Sequence, residues 1–264
     1  MKSPKSKSFT ALVLHQSRYD ALAFVRNGQS TFFTLALPVI FLLLFASVFG
    51  SQTVLVAGGT LKQSVYYVPA IMALGVIAAA FVNLVITVTA ARETGIYKRR
   101  RATPVPAGAV IAGRALIAVA LALAIAVVLL GIGWPVFGAN IPGHTAPALI
   151  VALVVGALAF CALGFALASL IANADSAQPL IQAIILPLYF ISGVFIPAAT
   201  IPGWLTTVAN LFPVRHFAQA LLAAYNPHTS GAGFAWNDLA IVALWGVVGL
   251  IVAVRRFRWL PQSG

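Results

Sequence analysis

Residues 92–106 read R-E-T-G-I-Y-K-R-R-R-A-T-P-V-P, from Arg92 to Pro106, and lie between two long apolar runs. They hold six of the twenty charged residues in a 264-residue chain that is 61% hydrophobic and only 8% charged. A soluble domain carries about 25% charged residues. So few charges cannot cover a water-facing surface, and lipid must be the solvent for most of the chain. A cluster this basic between apolar runs is then a short loop on the cytoplasmic side of a membrane.

Outward from this loop, the chain divides by the length a helix needs to cross hydrocarbon, about 20 mainly apolar residues. Six segments meet or approach it: 31–50, 66–91, 114–134, 146–172, 179–196 and 236–254. The fold class expected is an all-α membrane protein with six transmembrane helices. Three parts follow: a cytoplasmic N-terminus with an interfacial helix (1–30), a six-span domain (31–254) and a cytoplasmic tail (255–264).

Six spans put both termini on one side, and the basic residues say which. Fourteen of the sixteen Lys and Arg fall before the first span, after the second, at the start of the third or in the tail. Only Lys62 and Arg215 fall on the other side. That bias makes both ends cytoplasmic. Basic residues placed at the ends of apolar runs do not form the stripe that nucleic acid needs, so no nucleic-acid partner is expected.

The stretch from Phe9 to Asn27 mixes Phe9, Leu12, Val13, Leu22 and Phe24 with Gln16, Arg18, Asp20 and Arg26. It reads as an amphipathic helix lying in the cytoplasmic interface. A frayed polar tail is the other reading. The first long apolar run starts too late for a signal peptide, so the N-terminus is expected to be retained. Residues 197–235 are too apolar for a free loop, and Pro197, Pro202, Gly203 and Pro213 break them too often for a span. Re-entrant or interfacial short helices fit both facts.

The chemistry that is missing narrows the function. No G-x-x-x-x-G-K-[ST] occurs, so no phosphate-binding loop for ATP is present. His15, His144, His216 and His228 show no metal spacing, and Cys161 has no second cysteine to pair with. No G-x-S-x-G elbow is found, and no enzyme activity is expected of the chain. Asp20, Glu93, Asp175 and Asp238 all fall at or beyond the ends of spans. Ion-coupled carriers place carboxylates inside the membrane, where their cost marks a coupling site. An active transporter built this way needs an energised partner. A passive pore or ATP-independent carrier needs none and is the alternative.

Two stretches carry a resemblance to a known family. One is the quoted loop, residues 92–106. The other is S-G-V-F-I-P-A-A-T-I-P-G-W-L-T-T-V-A-N-L-F-P, residues 192–213. With the six-span layout and the amphipathic lead-in, the chain resembles the permease subunits of ABC type 2 exporters, especially bacterial drug- and antibiotic-efflux permeases of the daunorubicin-resistance kind. The resemblance covers nearly the whole chain. It implies a half-transporter of the bacterial plasma membrane that pairs with a second permease, a second copy or a related chain. A separate cytoplasmic ATPase subunit would dock on each permease and bind the ATP and magnesium. Drugs, antibiotics or lipids would leave the cytoplasm or inner leaflet between the two permeases.

In the quoted loop, the resemblance implies ATPase coupling by Arg92, Glu93, Thr94, Gly95, Lys98, Arg99, Arg100, Arg101 and Pro104. Gly95 tolerates positive φ and can break the second span. A short coupling helix over 96–102 would follow, stopped by the Pro104-Val105-Pro106 run. Glu93 is expected to pair locally, with Arg92, Lys98 or Arg99. Orientation alone would account for the arginines, but not for Glu93-Thr94-Gly95 or the proline stop. In the second stretch, Gly193, Pro197, Pro202, Gly203 and Trp204 suit an outer gate, or else a lid with no gating role. Polar residues within spans are candidates for the substrate path: Asn83 and Thr87 at i and i+4, Gln178 and Gln182 likewise, with Tyr189 and Ser192 beyond. Their other use is hydrogen bonding between helices. Phe81, Leu186 and Phe190 would make the rest of that path apolar, which favours hydrophobic or amphipathic cargo.

Overall fold

In the computed structural model, which describes residues 8–96, 106–229 and 231–256, α1 (Phe9–Arg26) leads into α2 (Gly28–Phe49). A hairpin of β1 (Thr53–Val56) and β2 (Gly59–Lys62) follows. Then α3 (Gln63–Ile77), a π turn (Ala78–Val82) and α4 (Asn83–Glu93) run on as one span. The long helices α5 (Ala107–Phe137), α6 (Ala146–Leu170) and α7 (Ala174–Ile191) come next. A 3-10 turn (Ala198–Thr200), α8 (Gly203–Ala209), α9 (Pro213–Tyr225) and α10 (Trp236–Arg256) complete the described chain.

Six of these segments are long and apolar enough to cross a membrane, and the chain is an all-α, six-span protein. Burial sorts them into layers. Within their most apolar windows, 72% of the α3–α4 span and 61% of α6 are buried, against 22% for α2, α7 and α10 and 28% for α5. The α3–α4 span and α6 are therefore the core, and the others surround it.

Lipid tails are as apolar as leucine, so helices associate through close packing rather than hydrophobic drive. Small residues make that packing here. A Cβ on Gly246 of α10 would stand 2.9 Å from the Ala159 Cα of α6, and one on Gly249 would stand 2.9 Å from the Leu163 nitrogen. The α6–α10 contact is thus backbone against backbone.

Helix α1 packs against α5. Its polar Ser17 and Asp20 are buried toward α5, while Phe9, Leu14, Tyr19, Leu22 and Val25 are exposed. Asp20 meets Arg114 at 3.2 Å. Gly113 lets the crossing close, since a Cβ there would lie 3.0 Å from Gln16 Cγ.

Two expectations need correction. The fifth span is Ala174–Ile191, not 179–196. Asn173 starts it five residues early, its side chain accepting from the Ser176 N–H at 3.1 Å, a standard N-cap. Gly193 at φ +87° ends the ascending chain before Pro197 is reached. The hairpin was not foreseen: residues 53–62 belong to an antiparallel pair with Val56 opposite Gly59. Asn226 steadies its turn by donating to the Ala57 carbonyl at 2.8 Å.

Between the fifth and sixth spans lie the short helices α8 and α9. Helix α9 is largely buried and packs on α3, α6 and α10.

Candidate functional site

At the end of α4, Arg92 is 3% exposed. Its guanidinium donates to the carbonyls of Ala168 (3.0 Å), Ile171 and Ala172 (3.0 Å). These are the last carbonyls of α6 and the residues just after it, which lack partners within the helix. A cation there also suits the negative end of the helix dipole. The neighbouring Glu93 reaches the other way. Its Oε1 accepts from the Ala174 N–H, the first amide of α7. The two residues thus hold both sides of the α6–α7 corner.

Glu93 thus has a long-range partner; of the local ones expected, Arg92 turns its guanidinium to the carbonyls, and Lys98 and Arg99 lie outside the described residues. A free amide at a helix N-terminus offers a directed donor, whereas an exposed ion pair is worth only ~0–1 kcal/mol. After Glu93, Thr94 bonds back to the Ala90 carbonyl at 2.9 Å, and Gly95 takes φ +69°. The helix therefore breaks at Gly95. Lys98, Arg99, Arg100, Arg101 and Pro104, with most of the expected coupling helix, lie outside the described residues.

A cleft of about 680 Å³ opens between α2, the α3–α4 span and α7. It gathers Asn83, Thr87, Gln178, Gln182 and Tyr189 from the expected path, together with Leu186. Ser192 is not among them. It is 1% exposed and sits instead at a small hollow with Tyr66 and Gln219. Phe81 and Phe190 do not line the cleft. The π turn contributes Ala78 and Val82 to its wall; such insertions are frequent at functional sites.

The hydrogen bonds of these polar residues bear on what they do. Thr87 donates to its own helix, at Leu84, and Tyr189 donates to Leu74 of α3 at 3.4 Å. Gln178 and Gln182 are exposed to the cleft and make no side-chain hydrogen bond among the described residues. No charged side chain among the described residues lines the cleft.

At the far end of the cleft stands Phe195, which sequence reasoning passed over although it lies within the quoted S-G-V-F-I-P. Its ring stacks on Phe45 (5.4 Å between centroids) and touches Phe41, Tyr189 and Phe190. Two tyrosines at the start of α3 hold its backbone. Tyr67 donates to the Phe195 carbonyl at 3.2 Å, and Tyr66 donates to the Gly193 carbonyl at 2.7 Å. The Ala198 N–H donates back to the Tyr66 oxygen at 3.3 Å. Of the expected gate residues, Gly193 forms this elbow and Pro197 precedes the 3-10 turn, while Pro202 and Gly203 start α8. Trp204 is 70% exposed and is not among the residues that line the cleft.

A second group, also unforeseen, ties α9 to α10. His216 Nδ1 lies 2.6 Å from Asp238 Oδ1 and its Nε2 lies 2.9 Å from the Asn210 carbonyl. The ring is thus held between a carboxylate of α10 and the backbone just before α9. Arg215 donates to Asn210 Oδ1 at 2.8 Å, and burial pushes its guanidinium below its ordinary range.

Residues 13–226 match the family model described as ABC-2 type transporter. No curated protein matches the chain.

Proposed function

The chain belongs to the ABC-2 type transporter family and is the membrane-spanning permease subunit of an ABC transporter, a family that works with an ABC ATPase; from that premise we propose that it is an exporter of uncharged hydrophobic or amphipathic compounds, drugs, antibiotics or lipids among them. The observation that carries the cargo class is the lining of the cleft. Phe33, Leu37, Phe41, Ile86 and Leu186 offer apolar surface, and the amides of Gln29, Gln178 and Gln182, with no other partner among the described residues, offer hydrogen bonds without charge. A sugar would leave too many hydroxyls unpaired against such walls, and an ion would find no counter-charge.

The cleft is open along α7, whose Leu180, Ile184, Leu186 and Phe190 are exposed. That supports a second permease closing it from the other side. Both termini are assigned to the cytoplasm of a bacterial cell and the transporter to its plasma membrane, with α1 lying in the cytoplasmic interface. Residues 92–104 would receive the motion of the ATPase, which would bind the ATP and magnesium. The Arg92–Glu93 grip supports this role, because a push on the loop after α4 would be delivered to α6 and α7 together. Phe195, held by Tyr66 and Tyr67, would close the outer end of the path.

An uncharged amphipathic compound carrying a photoreactive group tests the cargo path. On membranes holding the transporter, it is expected to label the α7 face bearing Gln178 and Gln182, with competition by the unlabelled compound. Labelling confined to the lipid-facing surfaces of α5 and α10, without competition, would overturn the assignment.

A further inference from the structure

A hollow of about 400 Å³ lies at the opposite end of the bundle from Arg92, between the end of α2, the hairpin, the start of α3 and the end of α5. It is lined by Ala46, Gly50, Ser51, Lys62, Ser64 and Val136, with Phe137 beside them. Its composition is divided. Lys62, Ser51 and Ser64 are polar, the others are apolar, and no carboxylate among the described residues lines it.

Three features give it the chemistry of a phosphate site. Lys62 brings a positive charge, and its side chain has no partner among the described residues. Ser64 is 7% exposed, faces the hollow and likewise makes no side-chain hydrogen bond among the described residues. Its hydroxyl opens on the hollow and is free to meet whatever enters it. The third feature is the first turn of α3, a 15-residue helix that no side chain caps. The Gln63 N–H is taken by the Gln52 carbonyl at 2.8 Å, and the other amides of the turn, with a lysine and hydroxyls, favour an anion.

The surroundings say which anion. Trp134, Trp204 and Trp236 are 59%, 70% and 66% exposed, at the end of α5, in α8 and at the start of α10. All three belong to the same end of the bundle as the hollow. Exposed tryptophans at one level mark the headgroup region of a bilayer. The hollow opens at that level, with exposed Val136 and the half-buried Phe137 on the side toward hydrocarbon.

We propose that this hollow binds the phosphate of an anionic phospholipid, with Lys62 and the Ser64 hydroxyl on the phosphate oxygens and the first acyl carbons along Val136 and Phe137. Under the topology above, that lipid belongs to the outer leaflet. The leaflet rests on that topology; the site does not. A bound headgroup here would pin the end of α2 to the start of α3, the helix whose Tyr66 and Tyr67 hold the elbow.

The test is lipid retention by the purified full-length chain in detergent, read by native mass spectrometry after titration with phosphatidylglycerol or phosphatidylcholine. The wild type is expected to retain phosphatidylglycerol in preference to phosphatidylcholine. The Lys62→Gln, Ser64→Ala double variant is expected to lose that preference by about tenfold, as one charge and one charge-assisted hydrogen bond would give. Circular dichroism of the variant checks that it is folded, and Arg256→Gln, at the far end of α10, serves as a charge control that keeps the preference. Equal retention by wild type and folded double variant would overturn the site. Displacement of phosphatidylglycerol by millimolar inorganic phosphate would overturn the lipid as its occupant. Neither readout involves transport, so failure here leaves the proposed export function standing.

Discussion

Arg92 and Glu93 are adjacent in sequence yet hold opposite sides of one corner, Arg92 the last carbonyls of α6 and Glu93 the first amide of α7. Two consecutive side chains thereby make the end of the α3–α4 span inseparable from the α6–α7 junction. A residue that looks like a topology charge is in fact a structural cap.

Arg92→Ala removes the donor from three carbonyls and should destabilise the folded chain by about 2–4 kcal/mol, the range for losing a buried charged hydrogen-bond partner. Arg92→Lys should restore only part of this, because an ammonium cannot spread over three carbonyls as a planar guanidinium does. Thermal unfolding of the purified variants checks it. Equal stability of the alanine variant and the wild type would show that the cap contributes nothing.

Glu93→Ala should cost about 1 kcal/mol, the scale of a lost helix cap, and leave membrane insertion intact. Its larger effect is expected on coupling: export falls while ATP hydrolysis by the partner continues. Glu93→Gln keeps a carbonyl acceptor for the Ala174 amide and should retain more export than the alanine variant. Normal export by Glu93→Ala would remove this residue from the coupling path.

Replacing both Gln178 and Gln182 by Leu removes the unpaired amides that α7 brings to the cleft. The half-saturating concentration of an amphipathic cargo should rise about 5- to 30-fold, equivalent to about 1–2 kcal/mol of lost hydrogen bonding. A purely apolar cargo should be affected less. Transport assays with a matched pair of compounds, one lacking the polar group, separate the two. Identical shifts for both would mean the glutamines only shape the wall.

At the elbow, Gly193 adopts φ +87° and a Cβ there would stand 3.1 Å from the Tyr66 oxygen. Gly193→Ala should therefore cost about 1–2 kcal/mol through backbone strain. Tyr66→Phe leaves the Gly193 carbonyl without its donor and should cost a similar about 1–2 kcal/mol. Acting on one contact, the two should combine to less than their sum. Unfolding measurements on the singles and the double check this; strict additivity would place them in separate contacts.

Much of this was legible in the sequence, for physical reasons that differ by element. The apolar runs that must satisfy their backbone internally could only be helices. The i, i+4 spacing put Asn83 with Thr87, and Gln178 with Gln182, on faces that do meet at the cleft. The same arithmetic failed for Ser192, since the helix period lapses after Ile191 and the chain turns into the elbow. The partners of Arg92 lie 76 to 80 residues away, and no local pattern encodes a cap across that distance. The hairpin was missed because its four-residue strands are too short for alternation to stand out, although the Gly58-Gly59 pair was the available turn signal. Phe195 and the His216–Asp238 pair lay hidden for a similar reason: their meaning is in their contacts.

The central claim, a permease that depends on an ATPase, is tested most directly by reconstitution. The chain is placed in proteoliposomes with and without its ATPase subunit, and movement of an uncharged amphipathic fluorophore is followed on adding ATP. Transport is predicted only when chain, ATPase and hydrolysable ATP are all present, and it should persist when an ionophore collapses ion gradients. Equal transport by the chain alone, or transport abolished by the ionophore with ATP still present, would contradict it.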